Sequence, residues 1–476
     1  MKRSLLGAVL ILTLAMPASA AMQQLPERPE FSAEVMRYVG YDAPEIALTN
    51  VRVVDGTGAA ARENQTILIR DGRIAEVGDA GTVRMGTNAE VVDLAGHTVI
   101  PGLVGLHDHS YYTTSARAVQ MSYTGPRLYL AAGVTTIRTT GSQEPYAEIN
   151  LKKDIESGRA PGPRMFVTGP YLTGENGAPS MAQLTGPDHA RRVVKYWAEE
   201  GVDWLKAYTW ISRAELAAAI DEAHKHGVKV TAHLCSVSFQ EAVEAGIDNI
   251  EHGLLTNSDY DETREPDACS PNLMASVAEL DMTGEEVQAT FRAMNEAGVS
   301  MTSTPVVFEM FVPGRTAMDD RTRAALSPEA AEEVEAAAAQ IEERGGISEE
   351  LFQQALRYEY AFVQSGGLLA AGVDPTGYGL ALPGYGDQRN FEILLETDFT
   401  PEEVVQIITA NGAKILGIYD EVGSIEAGKL ADLVVLEGNP VATPSDIRNV
   451  RWVFKDGVGY DAAKLTEAIA GRVGRS

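Results

Sequence analysis

The stretch Val99-Ile100-Pro101-Gly102-Leu103-Val104-Gly105-Leu106-His107-Asp108-His109 decides the fold. It is a short apolar run that ends in two histidines, which is typical of a buried strand whose last residues face a site. In a strand, residues i and i+2 lie on one face, so both imidazoles can reach one point. Two surface histidines on a turn are the alternative interpretation, and the pair alone does not decide between them.

Seven further short β-branched runs follow, and amphipathic helical segments lie between them. The predicted strands are residues 99–107, 134–140, 164–168, 204–208, 229–234, 249–251, 299–307 and 368–374. The clearest helical segments are residues 213–226, 239–244, 285–296 and 401–416. Alternating strands and helices over residues 99–420 predict an α/β fold, a (β/α)8 TIM barrel.

The two ends of the chain have a different pattern from the middle. Residues 46–98 alternate apolar and polar side chains in short runs, and Asp55-Gly56 and Asp71-Gly72 supply hairpin chemistry. Strand patterns return at 433–436 and 450–455. We therefore expect residues 46–98 and 421–460 to form one small composite β-sandwich domain. The Ala/Glu-rich residues 328–343 are predicted to be a solvated helix of the barrel.

The first twenty residues have the pattern of a secretory signal peptide. Lys2 and Arg3 precede an apolar run over 5–16, and Ala18-Ser19-Ala20 fits the small-residue rule for cleavage after Ala20. The run is shorter than the ~20 apolar residues of a membrane anchor. The mature protein is thus expected to be periplasmic or secreted.

Composition excludes several classes of protein. The chain has 39 Lys+Arg against 67 Asp+Glu, a net charge of −28, and no basic stripe, which excludes nucleic acid as a partner. No later stretch is apolar and long enough to span a bilayer. The 2 cysteines exclude a cysteine-rich zinc module. Cys235 and Cys269 could pair in an oxidising compartment, and the sequence leaves that open.

Four more strands of the predicted barrel end in polar residues that could join the histidine pair. Each has a structural interpretation: Lys206 in a salt bridge, His233 and His252 as buried hydrogen-bonding groups, Asp374 as a helix cap. Together they place an amine, a carboxylate and four imidazoles at the rim where barrel enzymes keep their chemistry. The candidate residues are His107, His109, Lys206, His233, His252 and Asp374.

This set of residues suits a pair of metal ions. Neutral imidazoles bind zinc and similar divalent ions, whereas a protonated lysine among metals is repulsive. The Lys206 amine can instead react with carbon dioxide to give a carbamate that bridges both metals. Two metals share a water, lower its pKa and polarise the target carbonyl, and Asp374 can carry the proton to the leaving group. His97, His189, His224 and His226 are not expected to be ligands.

These motifs resemble the amidohydrolase superfamily, and among its members the imidazolonepropionase-like and the metal-dependent, prolidase-like dipeptidase enzymes. The resemblance covers about residues 46–457. It rests on 99–103 before the two histidines, on 133–136 and on 409–413. Its most specific mark is Gly423-Ser424-Ile425-Glu426-Ala427-Gly428-Lys429-Leu430-Ala431-Asp432-Leu433-Val434.

The resemblance implies a set of ligands and one further residue. His107, His109 and Asp374 would bind one metal and His233 and His252 the other, with carboxylated Lys206 between them. Tyr208 matches a tyrosine that helps to polarise the substrate carbonyl, although packing at the barrel mouth explains it equally well.

Two departures from the family weaken the transfer of a substrate class. No Gly-Gly-His follows strand three, where residues 172–177 stand instead, and Arg138 is followed by Thr139 rather than Asp. Lys206 favours two metals over the single metal of imidazolonepropionase.

The resulting hypothesis is a binuclear metal hydrolase of amide bonds. A metal-bridging hydroxide would cleave dipeptides or N-acyl amino acids in the exported compartment. The same centre could act on lactones, carbamates or phosphotriesters, and a non-catalytic metal-binding barrel is a minor alternative. Zinc is the expected metal, with manganese and cobalt as alternatives. The partner is a small-molecule or dipeptide substrate; homo-oligomers are common in the family, but the sequence fixes no number.

Overall fold

The computed structural model describes residues 28–115, 117–315, 318–377 and 381–475. The predicted signal peptide, residues 1–20, lies outside them. The described chain is an α/β protein with a large mixed sheet and a series of parallel strands. None of its described helices is both long and apolar enough to cross a bilayer.

The large sheet draws its nine strands from both ends of the chain. Numbered in chain order, its strands are β1 (Val39–Tyr41), β2 (Glu45–Val53), β3 (Arg62–Arg70), β4 (Arg73–Asp79), β5 (Glu90–Asp93), β6 (His97–Pro101), β19 (Leu433–Glu437), β20 (Val450–Lys455) and β21 (Val458–Asp461). The hydrogen-bonded order is β1-β21-β20-β19-β6-β2-β3-β4, and β5 pairs with β2. The strands predicted near both chain ends therefore meet in one sheet.

Of the two turns that the sequence predicted here, one is a tight hairpin and the other is not. Asp71 and Gly72 connect β3 to β4, and their φ angles of 50° and 80° fit the two-residue turn that joins twisted antiparallel strands. Asp55-Gly56 instead lies in a longer loop, because β2 ends at Val53 and β3 begins at Arg62.

The middle of the chain supplies parallel strands that follow one another in sequence order. They are β7 (Leu103–Asp108), β10 (Val134–Thr139), β11 (Arg164–Phe166), β12 (Thr168–Thr173), β14 (Trp204–Ala207), β15 (Lys229–Ala232), β16 (Asn249–Glu251), β17 (Ser300–Ser303) and β18 (Leu369–Ala371). One sheet has the order β11-β10-β7, and the other has β12-β14-β15-β16-β17-β18 with β13 (Ala182–Gln183) at its edge. A short antiparallel hairpin, β8 (Tyr111–Thr113) and β9 (Ala118–Gln120), follows β7.

The two parallel sheets adjoin at both of their edges. Val167 alone separates β11 from β12, so these two pieces continue one path of the chain. At the other edge, the backbone N–H groups of Val373 and Asp374 donate to the carbonyl of His107 at 2.9 and 2.7 Å. The end of β18 is thereby fixed beside the end of β7.

The predicted strand 99–107 is divided into two strands at Gly102. β6 belongs to the large sheet and β7 to the parallel strands, so one continuous segment connects the two parts of the fold. A side chain at Gly102 would overlap Thr135, and glycine permits this close approach.

Most of the helices lie between the parallel strands, whereas the first precedes β1 and the last follows β21. They are α1 (Ala33–Met36), α2 (Thr124–Ala131), α3 (Pro145–Glu156), α4 (Pro187–Glu199), α5 (Arg213–Lys225), α6 (Phe239–Glu244), α7 (Leu273–Ser276), α8 (Glu285–Ala297), α9 (Pro305–Glu309), α10 (Asp320–Ala325), α11 (Pro328–Arg344), α12 (Glu349–Gln364), α13 (Tyr385–Leu394), α14 (Pro401–Gln406), α15 (Gly412–Leu416) and α16 (Ala462–Ile469). A π-helical turn, Ile407–Asn411, joins α14 to α15, so the helix predicted over 401–416 is present with one wide turn.

The prediction of a strand over 299–307 was wrong at its C-terminal end. β17 stops at Ser303, and Pro305 opens α9. Proline is favoured at the first position of a helix because its φ angle is already helical and its missing N–H is not needed. The β-branched Val306 and Val307 are therefore buried as residues of a helix and not of a strand.

Candidate metal centre

The predicted site residues meet at the C-terminal ends of the parallel strands. His107, Tyr208, His233, His252 and Asp374 line one cavity of about 560 Å³. His109 contacts Asp374 beside them, with 3.0 Å between its Nε2 and Oδ1. Lys206 lies in β14 and is fully buried. The structure therefore brings together every residue that the strand-end pattern selected.

Three of these residues form a compact group of potential metal ligands. Ligand atoms of His107, His252 and Asp374 all lie within 4.8 Å of one another. Nε2 of His107 is 3.6 Å from Asp374 Oδ1, and Nε2 of His252 is 3.9 Å from Oδ2. The rings of His233 and His252 are 4.3 Å apart, which extends the group to a second side. Imidazoles with a carboxylate are a donor set that suits zinc and similar divalent ions.

Hydrogen bonds fix which nitrogen each imidazole presents to the cavity. His107 Nδ1 lies 2.8 Å from Glu251 Oε2, and His109 Nδ1 lies 3.1 Å from the carbonyl of Gly141. Because a carboxylate and a carbonyl only accept, both Nδ1 atoms carry the proton. The Nε2 lone pairs are left for a ligand, which is the usual arrangement around a metal-binding histidine.

Glu251 is a residue of the site that the sequence reasoning missed. Its carboxylate is fully buried and accepts hydrogen bonds from His107, Arg138 and Thr231. Arg138 is also fully buried and donates to the carbonyl of Leu106 at 2.8 Å. One signal in the sequence could have identified Glu251: it is a charged residue in a buried strand, on the same face as Asn249.

Three imidazoles of the site, those of His107, His233 and His252, are held neutral. Burial lowers the pKa of His233 to about 3, and the nearby Lys206 adds to the effect. Burial also places the pKa of His107 and His252 well below the ordinary histidine value. A neutral imidazole is the form that binds a metal ion.

Asp374 and Lys206 titrate outside their ordinary ranges as well. Burial lowers the pKa of the Lys206 amine to about 8. Burial alone would raise the pKa of Asp374, but the groups that surround it, Lys206 among them, hold it well below the usual value. Asp374 is therefore a carboxylate at neutral pH, and about a tenth of the Lys206 amine is neutral at pH 7.

Two of the candidate ligands have left-handed backbone conformations. The φ angle is 70° at His252 and 56° at Asp374, in the region that side chains other than glycine rarely adopt. Such conformations cost about 1–3 kcal/mol each and persist where the surrounding structure enforces them. His252 directly follows β16, and Asp374 lies three residues beyond the end of β18, so both turns lie where a strand gives way to the following loop.

Tyr208 belongs to a group of tyrosines at the cavity. Its ring lies 4.8 Å from the ring of His233 and 5.1 Å from that of Tyr171. The hydroxyl of Tyr171 bonds that of Tyr111 and lies 3.5 Å from His109 Nε2. The sequence reasoning missed Tyr171, which lies in β12, and Tyr111, whose position depends on how the hairpin after β7 folds over the strand ends.

A disulfide lies beside the centre. Cys235 and Cys269 are bonded, with their Cα atoms 4.9 Å apart, which settles a pairing that the sequence had left open. Cys235 is two residues beyond His233, so the bond ties the loop after β15 to the long loop that precedes α7.

The remaining histidines lie outside the centre. His224 bonds Asp248 at 2.9 Å, and His226 lies 3.5 Å from Glu222. His189 bonds Thr185, and His97 bonds the carbonyl of Ala95. They have local partners of their own.

Residues 98–352 and 381–459 match the model of the amidohydrolase family. The chain belongs to the amidohydrolase family. This amidohydrolase is accordingly a hydrolase that acts on carbon–nitrogen bonds. Amidohydrolases generally use metal ions, and the cluster of His107, His252 and Asp374 is the matching feature here.

Several known proteins are similar to this amidohydrolase along most of its length. An enamidase of Eubacterium barkeri is 26% identical over 390 residues, which is 78% of this chain and 81% of the enamidase. A solved Xaa-Pro dipeptidase with bound methionine is 22% identical with a TM-score of 0.65, covering 88% of this chain and 100% of that one. The bottromycin amidohydrolase is 19% identical with a TM-score of 0.67, covering 91% and 92%. The two structures share the fold of this chain.

Proposed function

We propose that this amidohydrolase hydrolyses amide bonds of small molecules at a binuclear metal centre. The observation that carries the proposal is the environment of Lys206. Its amine is fully buried, has no hydrogen-bond partner among the described residues, and lies close enough to His107, His233 and Asp374 to shift their pKa values. A buried amine without a partner is costly, and conversion to a carbamate that binds metal would remove that cost.

The proposed fold around the centre is a closed eight-stranded barrel over 99–420 beside a composite β-domain of 46–98 and 421–460. Closure is supported by the hydrogen bonds from Val373 and Asp374 to His107 and by the continuity of β11 and β12. The composite domain is supported by the pairing of β6 with β19, which come from opposite ends of the chain.

The residues of the site suit two metal ions. His107, His109 and Asp374 would hold one ion and His233 and His252 the other, with carboxylated Lys206 shared between them. His252 Nε2, like the Lys206 amine, is a buried polar atom without a hydrogen-bond partner in the described chain. When bound, the ions, zinc in our proposal, would lower the pKa of water and polarise the substrate carbonyl.

The residues of the chain then have separate tasks. Asp374, a carboxylate at neutral pH, accepts a proton from the attacking water and delivers it to the leaving nitrogen. Glu251 keeps the Nε2 of His107 turned to the cavity. Tyr208, which lines the cavity, would contact the substrate carbonyl.

The cavity volume limits the size of the substrate, and the disulfide indicates the cellular compartment. A volume of about 560 Å³ fits a molecule the size of a dipeptide or an N-acyl amino acid. The Cys235–Cys269 disulfide supports an oxidising compartment, in keeping with the periplasmic or secreted location that the leader sequence predicts.

Metal content and a substrate screen test the proposal together. Protein prepared with bicarbonate and zinc should hold about two ions per chain and cleave amides, and Lys206→Ala should lose both properties. Lys195→Ala, at an exposed lysine, is the matched control. Fewer than about one ion per chain would contradict the metal centre. Cleavage of lactones, carbamates or phosphotriesters without any amide turnover would contradict the choice of bond.

A further inference from the structure

The cavity above the candidate centre is almost free of charged side chains. We propose that the centre selects amides whose two substituents are uncharged, in preference to zwitterionic dipeptides or acids with a free carboxylate. This inference rests on the proposed function and narrows its substrate class.

The side chains that line the cavity carry almost no charge. Asp374 is the one carboxylate among the described residues that line the cavity, and none of them is lysine or arginine. Asp374 is already engaged with the imidazoles of the centre. The internal residues outside the described ranges, at 116, 316–317 and 378–380, are uncharged residue types.

Buried cations below the cavity do not supply the missing charge. Arg138 is fully buried and paired with Glu251, so its charge is already neutralised. Lys206 becomes an anion if it is carboxylated. A substrate carboxylate on the tail of the amide, away from the metal ions, would therefore be desolvated without a side-chain counter-charge, which is strongly unfavourable.

The polar groups of the lining are neutral hydrogen-bonding groups. The hydroxyls of Tyr111 and Tyr171 line the cavity and hydrogen-bond each other. Gln143 and Thr376 add an amide and a hydroxyl. These groups can bond an amide N–H or carbonyl, but they cannot neutralise an ammonium or a carboxylate.

Apolar side chains form a second part of the lining. Met181, Val307, Phe308 and Phe311 line the cavity, and the Phe308 ring lies 5.6 Å from the ring of His252. Apolar surface therefore begins next to a candidate metal ligand, where a substituent of the scissile amide would lie. Burying an apolar or aromatic substituent there is favourable, because it removes apolar surface from water.

Three amides with tails of similar size but different charge test this inference. The series is N-benzoylglycine, N-propylbenzamide and N-(2-aminoethyl)benzamide, and benzoate release gives kcat/KM for each. If another acyl group is cleaved faster in the substrate screen, it replaces benzoyl in all three. We expect the neutral propyl amide to exceed both charged amides by ~10-fold or more.

A pair of variants at one lining position separates charge from size. Phe311→Arg adds a cation to the cavity and should raise kcat/KM for N-benzoylglycine relative to the propyl amide by ~10-fold. Phe311→Gln, of similar length but neutral, should leave that ratio unchanged.

The outcomes that overturn the inference are distinct from those that overturn the proposed function. Equal or faster cleavage of N-benzoylglycine by the unaltered enzyme overturns the inference and leaves amide hydrolysis standing. If Arg117→Gln then removes that activity, the carboxylate is recognised by the exposed Arg117, next to the lining residue Ala118. No cleavage of any amide by metal-loaded enzyme overturns the proposed function, and the inference with it.

Discussion

The Nδ1–H of His107 donates a hydrogen bond to Glu251 Oε2 across 2.8 Å. This contact joins the end of β7 to the end of β16. The candidate ligand His252 directly follows β16. Arg138 of β10 donates to the other carboxylate oxygen. One buried carboxylate therefore links β16 to the paired strands β7 and β10, and it also sets the tautomer of a candidate ligand.

Replacing Glu251 should damage both the centre and the fold. In Glu251→Gln the buried Arg138 loses its counter-charge, so we expect a loss of about 3–5 kcal/mol in the free energy of unfolding. Metal affinity should fall by ~10–100-fold, as for other partners of metal-binding histidines. Chemical denaturation and metal titration measure the two effects. Glu437→Gln, at the exposed end of β19, is the control; an unchanged variant at Glu251 would contradict the role given to this carboxylate.

Asp374→Asn should separate metal binding from turnover. The amide keeps an oxygen toward the centre but cannot accept the proton from water, so kcat should fall by ~10²–10⁴-fold while metal is retained. Metal analysis and steady-state kinetics on one preparation measure both. Asp398→Asn changes an exposed carboxylate and should be neutral. Full activity of the Asp374 variant would show that another group moves the proton.

The lowered pKa of Lys206 predicts how the stability of the metal-free protein depends on pH. The folded-state pKa of about 8 lies below the ordinary value of 10.5, so the unfolded chain binds the proton more tightly. Below pH 8 the protonated amine lowers the free energy of unfolding by about 3 kcal/mol. This cost disappears as the pH rises toward 10.5. Urea denaturation of metal-free protein in buffer depleted of carbon dioxide should show this rise. In Lys206→Met the rise should be absent; an equal rise in both proteins would assign it to another group.

Gly372 permits the contact between β18 and β7. A Cβ at this position would overlap the backbone and side chain of His107, so Gly372→Ala must displace one of the two strand ends. We expect a loss of several kcal/mol, on the order of other overpacking changes. Thermal unfolding measures it. Gly125→Ala in α2, where the nearest atom is Met121 Cβ at 3.3 Å, should cost far less. Similar melting temperatures for the two variants would argue against close packing here.

The disulfide should stabilise the fold. Cys235→Ser with Cys269→Ser opens a loop of 34 residues, and we expect a loss of about 2–4 kcal/mol in the free energy of unfolding. Unaltered protein with a reducing agent should unfold like the double variant, and the double variant should not respond to the reductant. A reductant effect of the same size on both proteins would point to a cause other than this bond.

The parts of the site that follow from strand periodicity could be predicted from the sequence. His107 and His109 share a face by their spacing of two, and parallel strands place Lys206, His233 and Asp374 at one rim. These inferences need only the order of the elements along the chain.

The contacts that depend on packing could not be predicted in the same way. Arg138 and Glu251 are 113 residues apart, and neither position suggests its partner. The hydroxyl contact between Tyr111 and Tyr171 depends on where a short hairpin lies. Val306 and Val307 have strand propensity but follow a proline that begins a helix, so local preference gave the wrong boundary.

The pairing of β6 with β19 has a consequence for the order of folding. β6 continues through Gly102 into β7, yet its antiparallel partner lies roughly 330 residues later in the chain. A growing chain cannot form this contact until nearly all of it has been synthesised. The strand that carries His107 should therefore settle late, and a protein truncated before residue 433 should lack an ordered centre even though it contains every candidate ligand.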